Sequence, residues 1–172
     1  MVFADNRVVP TGLFIDNEFV SSSVGAELVL ESPSTGEQLG RISAAGLEDV
    51  NRAVEAAKKA LVSWKKVPGN ARAKLLEKVA DLIERDAEDL ASLEAIDAGI
   101  LFSDSIGLNV PQSVSCLRYY AGWADKIDGK VLDMDVGVAY TFREPLGVCA
   151  AIVPWNAPLY VIPPRFGSLE RY

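Results

Sequence analysis

The chain has 172 residues, 49% of them hydrophobic, and its 17 Lys and Arg against 24 Asp and Glu give a formal net charge of −7. This length predicts one domain with a buried core rather than two, and the acidic balance argues against a nucleic-acid partner, which would need clustered Lys and Arg. The sequence contains no histidine, which excludes Ser–His and Cys–His pairs, histidine-containing metal sites and a histidine general base.

The cysteine content and the length of the apolar runs indicate the cellular compartment of the protein. Cys116 and Cys149 are too few for a disulfide-rich scaffold or a four-thiolate zinc site, so we predict no metal site and a reducing compartment. The longest apolar run, residues 148–155, is far shorter than the ~20 residues of a membrane helix, and acidic Asp5 stands close to the start. We therefore expect a cytoplasmic protein with no targeting segment and no membrane contact.

The N-terminal part predicts short strands and then helices. Residues 13–15 and 19–20 flank a hairpin-like turn signal, and a turn cluster at 32–36 precedes a predicted strand over 38–42. Apolar residues then recur at helical spacing over 47–64, which predicts a first helix. Pro68 and Gly69 are expected to end this helix and Asn70 to cap a second one. The buried stripe predicted for the second helix comprises Leu75, Leu76, Val79, Leu82 and Ile83.

The C-terminal half predicts two more helices and then strands. Asp86 is a candidate cap for a third helix that ends at Gly99, and a fourth helix is expected over about 111–126. Residues 138–142 alternate in polarity, and 147–153 are nearly all apolar, as in a strand buried on both faces of a parallel sheet. This order predicts an α/β protein in which a helical layer precedes a nucleotide-binding sheet.

Four landmarks carry a specific resemblance. They are Ser-Pro-Ser-Thr-Gly-Glu at 32–37, the helices from 49 through Leu-Glu-Ala-Ile-Asp at 93–97 and Gly99, Leu-Arg-Tyr-Tyr-Ala-Gly-Trp-Ala-Asp-Lys at 117–126, and Glu-Pro-Leu-Gly at 144–147 leading to Pro-Trp-Asn at 154–156. In order and spacing they resemble the N-terminal part of the NAD(P)-dependent aldehyde dehydrogenases, over about residues 12–157.

The resemblance implies an incomplete aldehyde dehydrogenase-like fold. Its parts would be N-terminal hairpins, a helical layer, an oligomerisation-type arm strand at about 138–146 and the first strand of a Rossmann-like sheet at about 147–153. Residues 1–157 would form the N-terminal portion of an aldehyde dehydrogenase domain. The resemblance also implies self-association or pairing with homologous subunits through the arm.

The segment at 158–172 is expected to be a divergent tail. In the family a long helix follows the Pro-Trp-Asn motif, whereas this chain carries Pro163 and Pro164. Neither proline nitrogen can donate a hydrogen bond, and each ring clashes with the preceding turn. We therefore expect any helix from Pro158 to be at most about one turn long.

The resemblance implies roles for five consecutive residues. Ile152, Val153, Pro154 and Trp155 would lie along an NAD or NADP cofactor. The Asn156 side-chain amide would donate to the oxyanion that forms when a thiolate adds to an aldehyde carbon. An amide is an uncharged donor, and one such donor is typically worth ~10²–10³ in rate. By residue type alone an asparagine after a strand is more often a cap or turn residue, and the four landmarks reverse that preference.

Other candidate groups are interpreted as structural. The resemblance places the cysteine nucleophile and the glutamate general base beyond residue 172, and neither cysteine of this chain is a plausible substitute. Cys149 would lie inside the buried strand and Cys116 on a helix beside Leu117, so both are interpreted as inert packing thiols. Glu94 and Asp97 are interpreted as a solvated helix end rather than an acid–base pair.

Two functional hypotheses follow. The first is oxidation of an aldehyde to a carboxylic acid with NAD or NADP, with these 172 residues inactive alone. The second is a non-catalytic remnant or subunit-interaction fragment. The sequence leaves open which aldehyde is the substrate and which of the two dinucleotides is used.

Overall fold

The computed structural model describes residues 8–169, and for residues 164–169 it describes the backbone alone. Residues 1–7 of the predicted N-terminal portion and residues 170–172 of the predicted tail lie outside the described residues. The expectation of no targeting segment concerns the start of the chain, most of which is also outside them. The strands are β1 Leu13–Ile15, β2 Glu18–Val20, β3 Glu27–Glu31, β4 Gln38–Ser43, β5 Val131–Asp133 and β6 Val138–Tyr140. The helices are α1 Leu47–Trp64, α2 Gly69–Arg85, α3 Ala87–Ala98, α4 Phe102–Asp104, α5 Val110–Ala121 and α6 Pro158–Leu169, with a π-helical turn at Ser105–Asn109.

Within residues 8–169, the six strands form three separate antiparallel hairpins. In the β1–β2 turn, Asp16 and Asn17 have φ of 54° and 65°. A two-residue turn that matches the twist of its strands needs positive φ at both central residues, which Asp and Asn tolerate better than most residues. The predicted hairpin and the predicted strand at 38–42 are confirmed, and so is the mixed helix and strand composition.

The core lies between α2 and α5. Its buried residues are Leu76, Ala80, Val114, Leu117 and Ala121. The stripe predicted for α2 is wrong at Leu75 and Val79, which are exposed. The apolar stripe is wider than the face that α5 covers, and these two side chains line an open groove of about 440 Å³ together with Ile162 of α6.

α1 and α3 end where the sequence predicts, but neither of the two predicted side-chain caps forms. α1 has the expected bounds, and Gly99 ends α3 in the left-handed conformation with φ of 70°. Asn70 does not cap α2, because the helix already begins at Gly69 and places Asn70 inside its first turn. Asp86 is the residue before α3, but it makes no side-chain cap and its carboxylate binds Arg85 at 2.6 Å.

The segment from 138 to 153 forms a strand only at its start, and Gly147 has a left-handed φ of 94°. Within the predicted arm strand, Val138–Tyr140 pairs with β5, and residues 141–146 form no ladder. No described residue pairs with residues 147–153, so their assignment as the first strand of a dinucleotide-binding sheet stays a prediction. Cys149 is exposed, and its interpretation as a buried packing thiol is wrong in this structure because residues 147–153 form no buried strand and Cys149 lines an open groove beside β1 and α1.

The expected short helix after Pro158 is also wrong. α6 runs for 12 residues through both prolines. Pro163 has no N–H to donate to the Leu159 carbonyl four residues earlier, which is the usual cost of an interior proline. The Ser113 hydroxyl of α5 contacts that carbonyl and can donate to it instead. Packing against α5 therefore lets the helix continue where local sequence predicts an end.

Candidate cofactor and oxyanion site

The five predicted site residues form one exposed stretch directly before α6. Ile152 and Trp155 are 96% and 83% exposed, and Pro154 and Asn156 are exposed as well. Val153 is exposed too, by 37%. These residues are neighbours because they are consecutive in the chain.

The beginning of α6 is attached to a buried carboxylate. The Leu159 N–H donates to Oε1 of Glu94 at 3.1 Å, and Oε2 of Glu94 accepts from Asn109 Nδ2 at 2.9 Å and from the Ser105 hydroxyl. Glu94 is 4% exposed, so its interpretation as part of a solvated helix end is wrong. Asp97, the other carboxylate of the candidate pair, is exposed. The two carboxylates do not form an acid–base pair.

Leu159 is held at both of its backbone polar groups. Its N–H donates to Glu94, and its carbonyl contacts the hydroxyl of Ser113, which also lies 2.9 Å from the Asn109 carbonyl. Ser113 is fully buried. These contacts fix the first turn of α6 three residues after Asn156.

Sequence reasoning missed Glu94 for a physical reason. A buried carboxylate must find hydrogen-bond donors, and the donors here lie 11, 15 and 65 residues away in the chain. One sequence signal was present, because Glu94 follows Leu90 by four residues and Ala91 by three and so shares a helix face with two apolar residues. That spacing indicates burial but does not identify the partners.

Neither cysteine resembles an activated nucleophile. Burial raises the pKa of the Cys116 thiol, which lowers its thiolate fraction and agrees with a packing role. The exposed thiol of Cys149 lies 3.7 Å from the Gly147 carbonyl oxygen, to which it can donate. Among the described residues, no group of three or more acidic or sulfur side chains has the arrangement of a metal site.

The exposed stretch presents groups that a ligand could contact. The Trp155 indole offers an apolar face with a polar edge. The Asn156 side chain, which is also exposed, adds a neutral hydrogen-bond donor. Within residues 8–169, no helix is long and apolar enough to cross a bilayer.

The described chain thus combines antiparallel hairpins, a layer of helices and an exposed Pro-Trp-Asn segment ahead of α6. Residues 19–165 match the aldehyde dehydrogenase family, and the chain belongs to that family. It is 47% identical to an aldehyde dehydrogenase of Alternaria alternata over 152 residues, which are 87% of this chain and 31% of that protein. It is 43% identical to aldehyde dehydrogenase 1A1 of Ovis aries over 153 residues, with 87% and 30% covered.

The fold comparison agrees. The structure of PnpE from Pseudomonas sp. WBC-3 superposes with a TM-score of 0.90 at 41% identity, over 95% of this chain and 34% of that one. The chain spans about a third of the length of the curated relatives it matches.

Proposed function

We propose that this chain supplies the N-terminal part of an enzyme that oxidises an aldehyde to a carboxylic acid with NAD or NADP. The observation that carries the proposal is the exposed Pro154–Trp155–Asn156 segment, set immediately before α6 within the family match. PnpE is also known in complex with nicotinamide adenine dinucleotide, and its fold is shared at a TM-score of 0.90. That complex supports a dinucleotide for this fold.

The chemistry assigned to this chain is binding and charge stabilisation. When bound, the dinucleotide supplies the hydride acceptor. Residues 152–155 would hold the cofactor along their backbone and apolar side chains. As a thiolate adds to the aldehyde carbon, negative charge develops on the carbonyl oxygen, and the Asn156 amide would donate to it. Because an amide does not titrate near neutral pH, this donor would not compete as an acid.

We expect a chain of these 172 residues to be inactive alone and to bind the cofactor weakly. A thiol nucleophile and a general base act as a unit, so losing either removes nearly all of the chemical step. A dinucleotide also needs a helix N-terminus and neighbouring strands around it. Calorimetric titration should show no micromolar binding of NAD or NADP, and micromolar binding would contradict this expectation.

The alternative is a subunit-interaction fragment without catalysis. It is favoured by the exposed apolar side chains of β5, β6, the turn between them and the segment that follows, among them Val136, Phe142 and Leu146. Such side chains are typical of a surface that another chain covers.

We propose a cytoplasmic location for either function, in keeping with relatives named as cytosolic aldehyde dehydrogenases.

A chimera separates the two functions. Residues 1–165 would be joined to the part of the Alternaria alternata enzyme that follows its matching segment. Absorbance of the reduced nicotinamide would be followed with aliphatic and aromatic aldehydes. The enzyme proposal predicts turnover by the chimera and none by the 172-residue chain. A folded chimera that binds cofactor but does not turn over would favour the interaction fragment.

A further inference from the structure

We propose that Glu94, together with Ser113, positions the Asn156 amide by holding Leu159 from both sides. The proposal rests on the proposed role of Asn156 as an oxyanion donor and adds the groups that fix its place. Glu94 touches neither substrate nor cofactor in this assignment. It is a positioning residue that acts through the first turn of α6.

Glu94 is itself held firmly. Its side chain is nearly fully buried, and its Oε2 accepts from Asn109 Nδ2 at 2.9 Å and from the Ser105 hydroxyl. Both donors belong to the π-helical turn, so the carboxylate joins α3, this turn and α6. A carboxylate only accepts hydrogen bonds, and every group named here is a donor. The remaining oxygen, Oε1, is directed to Leu159 at 3.1 Å.

The route from Leu159 to Asn156 is short. The carbonyl of Ala157 accepts from the N–H groups of Tyr160 and Val161, each at 3.1 Å, and these bonds close the first turn. Asn156 directly precedes that turn and has no strand partner among the described residues. Its position is therefore set by the turn, which Glu94 and Ser113 attach to the helical layer. An effective donor must be held to within about 0.5 Å, so this attachment bears directly on function.

Selective labelling makes the proposal testable in the full chain, in samples diluted below the concentration at which sedimentation shows self-association. The sequence has six asparagines, and 15N-labelling of their side-chain amides places reporters where they are needed. The Asn109 amide reports the bond to Glu94, and the Asn156 amide reports the position in question. Asn51 in α1 and Asn70 in α2 report whether the helices remain folded. Hydrogen exchange of the Leu159 amide is measured on the same samples.

The variant Glu94→Gln keeps the side-chain size but replaces one oxygen by an NH₂ group. Whichever way the amide turns, a donor then faces either Leu159 N–H or the Asn109 amide. We expect the Asn156 signals to shift or broaden and the Leu159 amide to exchange at least about tenfold faster, since its protection depends on this local contact. Asp97→Asn, which removes the same charge from the exposed side of α3, should leave both unchanged.

The outcomes separate cleanly. If Glu94→Gln changes the Asn109 signals but leaves Asn156 and Leu159 as they were, the proposal is wrong. It is equally wrong if the Leu159 amide of the unmodified chain exchanges at the rate of an unstructured peptide. If Glu94→Gln also disturbs Asn51 and Asn70, the fold is damaged and Ser113→Ala decides.

Ser113→Ala frees the Leu159 carbonyl without touching the carboxylate. A change at Asn156 supports positioning through Leu159, and no change overturns it. None of these readouts depends on turnover. A failure here is therefore distinct from a failure of the proposed function, which the chimera measures.

Discussion

The backbone N–H and the hydroxyl of Ser23 both donate to the carboxylate of Asp49, at 3.0 and 2.9 Å, across 26 residues of chain. The Gly46 N–H donates to the same carboxylate at 2.9 Å, and the Asp49 side chain is fully buried. These bonds tie the loop after β2 to the first turn of α1. The donors, first Gly46 and then Ser23, hold the pKa of Asp49 below its ordinary value of 3.8.

Replacing Asp49 by Asn should destabilise the fold and flatten its response to acid. Because the folded pKa is depressed, ionised Asp49 stabilises the native state at pH values above 3.8, and this contribution is lost as the pH falls through the lower folded value. Thermal unfolding from neutral to acidic pH measures the effect. Glu48→Gln, at an exposed neighbour, is the matched control. If the stability of the unmodified chain, Asp49→Asn and Glu48→Gln depends equally on pH, Asp49 does not have the lowered pKa described here.

Leu117→Ala should lower the free energy of unfolding by about 2–5 kcal/mol, as for other large-to-small core substitutions. Leu117 is among the most buried apolar residues of the described chain. Leu75→Ala makes the same chemical change on the exposed side of α2 and should cost much less. Urea unfolding of the two variants gives the comparison. Similar losses would show that the core is not centred between α2 and α5.

Gly69→Ala should destabilise the chain by about 1–3 kcal/mol through overpacking. A Cβ at Gly69 would stand 2.4 Å from the carbonyl oxygen of Ala124, which is backbone and cannot rotate away. Gly107→Ala meets no atom within 4 Å and lies in the helical turn before α5, so it should be neutral or stabilising. A neutral Gly69→Ala in denaturant titration would rule out the close approach of the 124–125 backbone to α2.

The isolated chain should self-associate. Phe142, Leu146 and Ile152 are exposed by 78%, 77% and 96%, and they belong to a segment, 141–157, that forms no helix or strand. Exposed apolar edges of this kind pair with other chains. Sedimentation velocity should show concentration-dependent species, which Phe142→Ser combined with Ile152→Ser should reduce. A monodisperse monomer with strong amide protection over 148–153 would mean that these residues close a core on their own.

Local signals predicted the elements whose structure is locally determined. The Asp16–Asn17 turn and the bounds of α1 follow from turn chemistry and apolar spacing, which need no distant partner. Gly99 was predictable for the same reason, since a helix C-terminus in the left-handed conformation favours glycine.

The wrong predictions at α6 and at Glu94 concern contacts between distant parts of the chain. α6 continues through Pro163 because Ser113, on another helix, contacts the carbonyl that proline leaves unpaired. Glu94 is buried because its donors come from the π-helical turn and α6. Of the candidate site, family resemblance predicts Asn156 and the stretch before it, and that prediction stays untested. The contacts of Glu94 and Ser113 with Leu159 became visible only in three dimensions.

The most direct test of the central claim is the effect of Asn156→Ala on kcat in the chimera. As the loss of one oxyanion donor, it should lower kcat by about 10²–10³. Asn51→Ala, at an exposed position of α1, should leave kcat unchanged. Turnover that persists undiminished in Asn156→Ala would contradict the claim that this chain supplies the oxyanion donor of an aldehyde dehydrogenase.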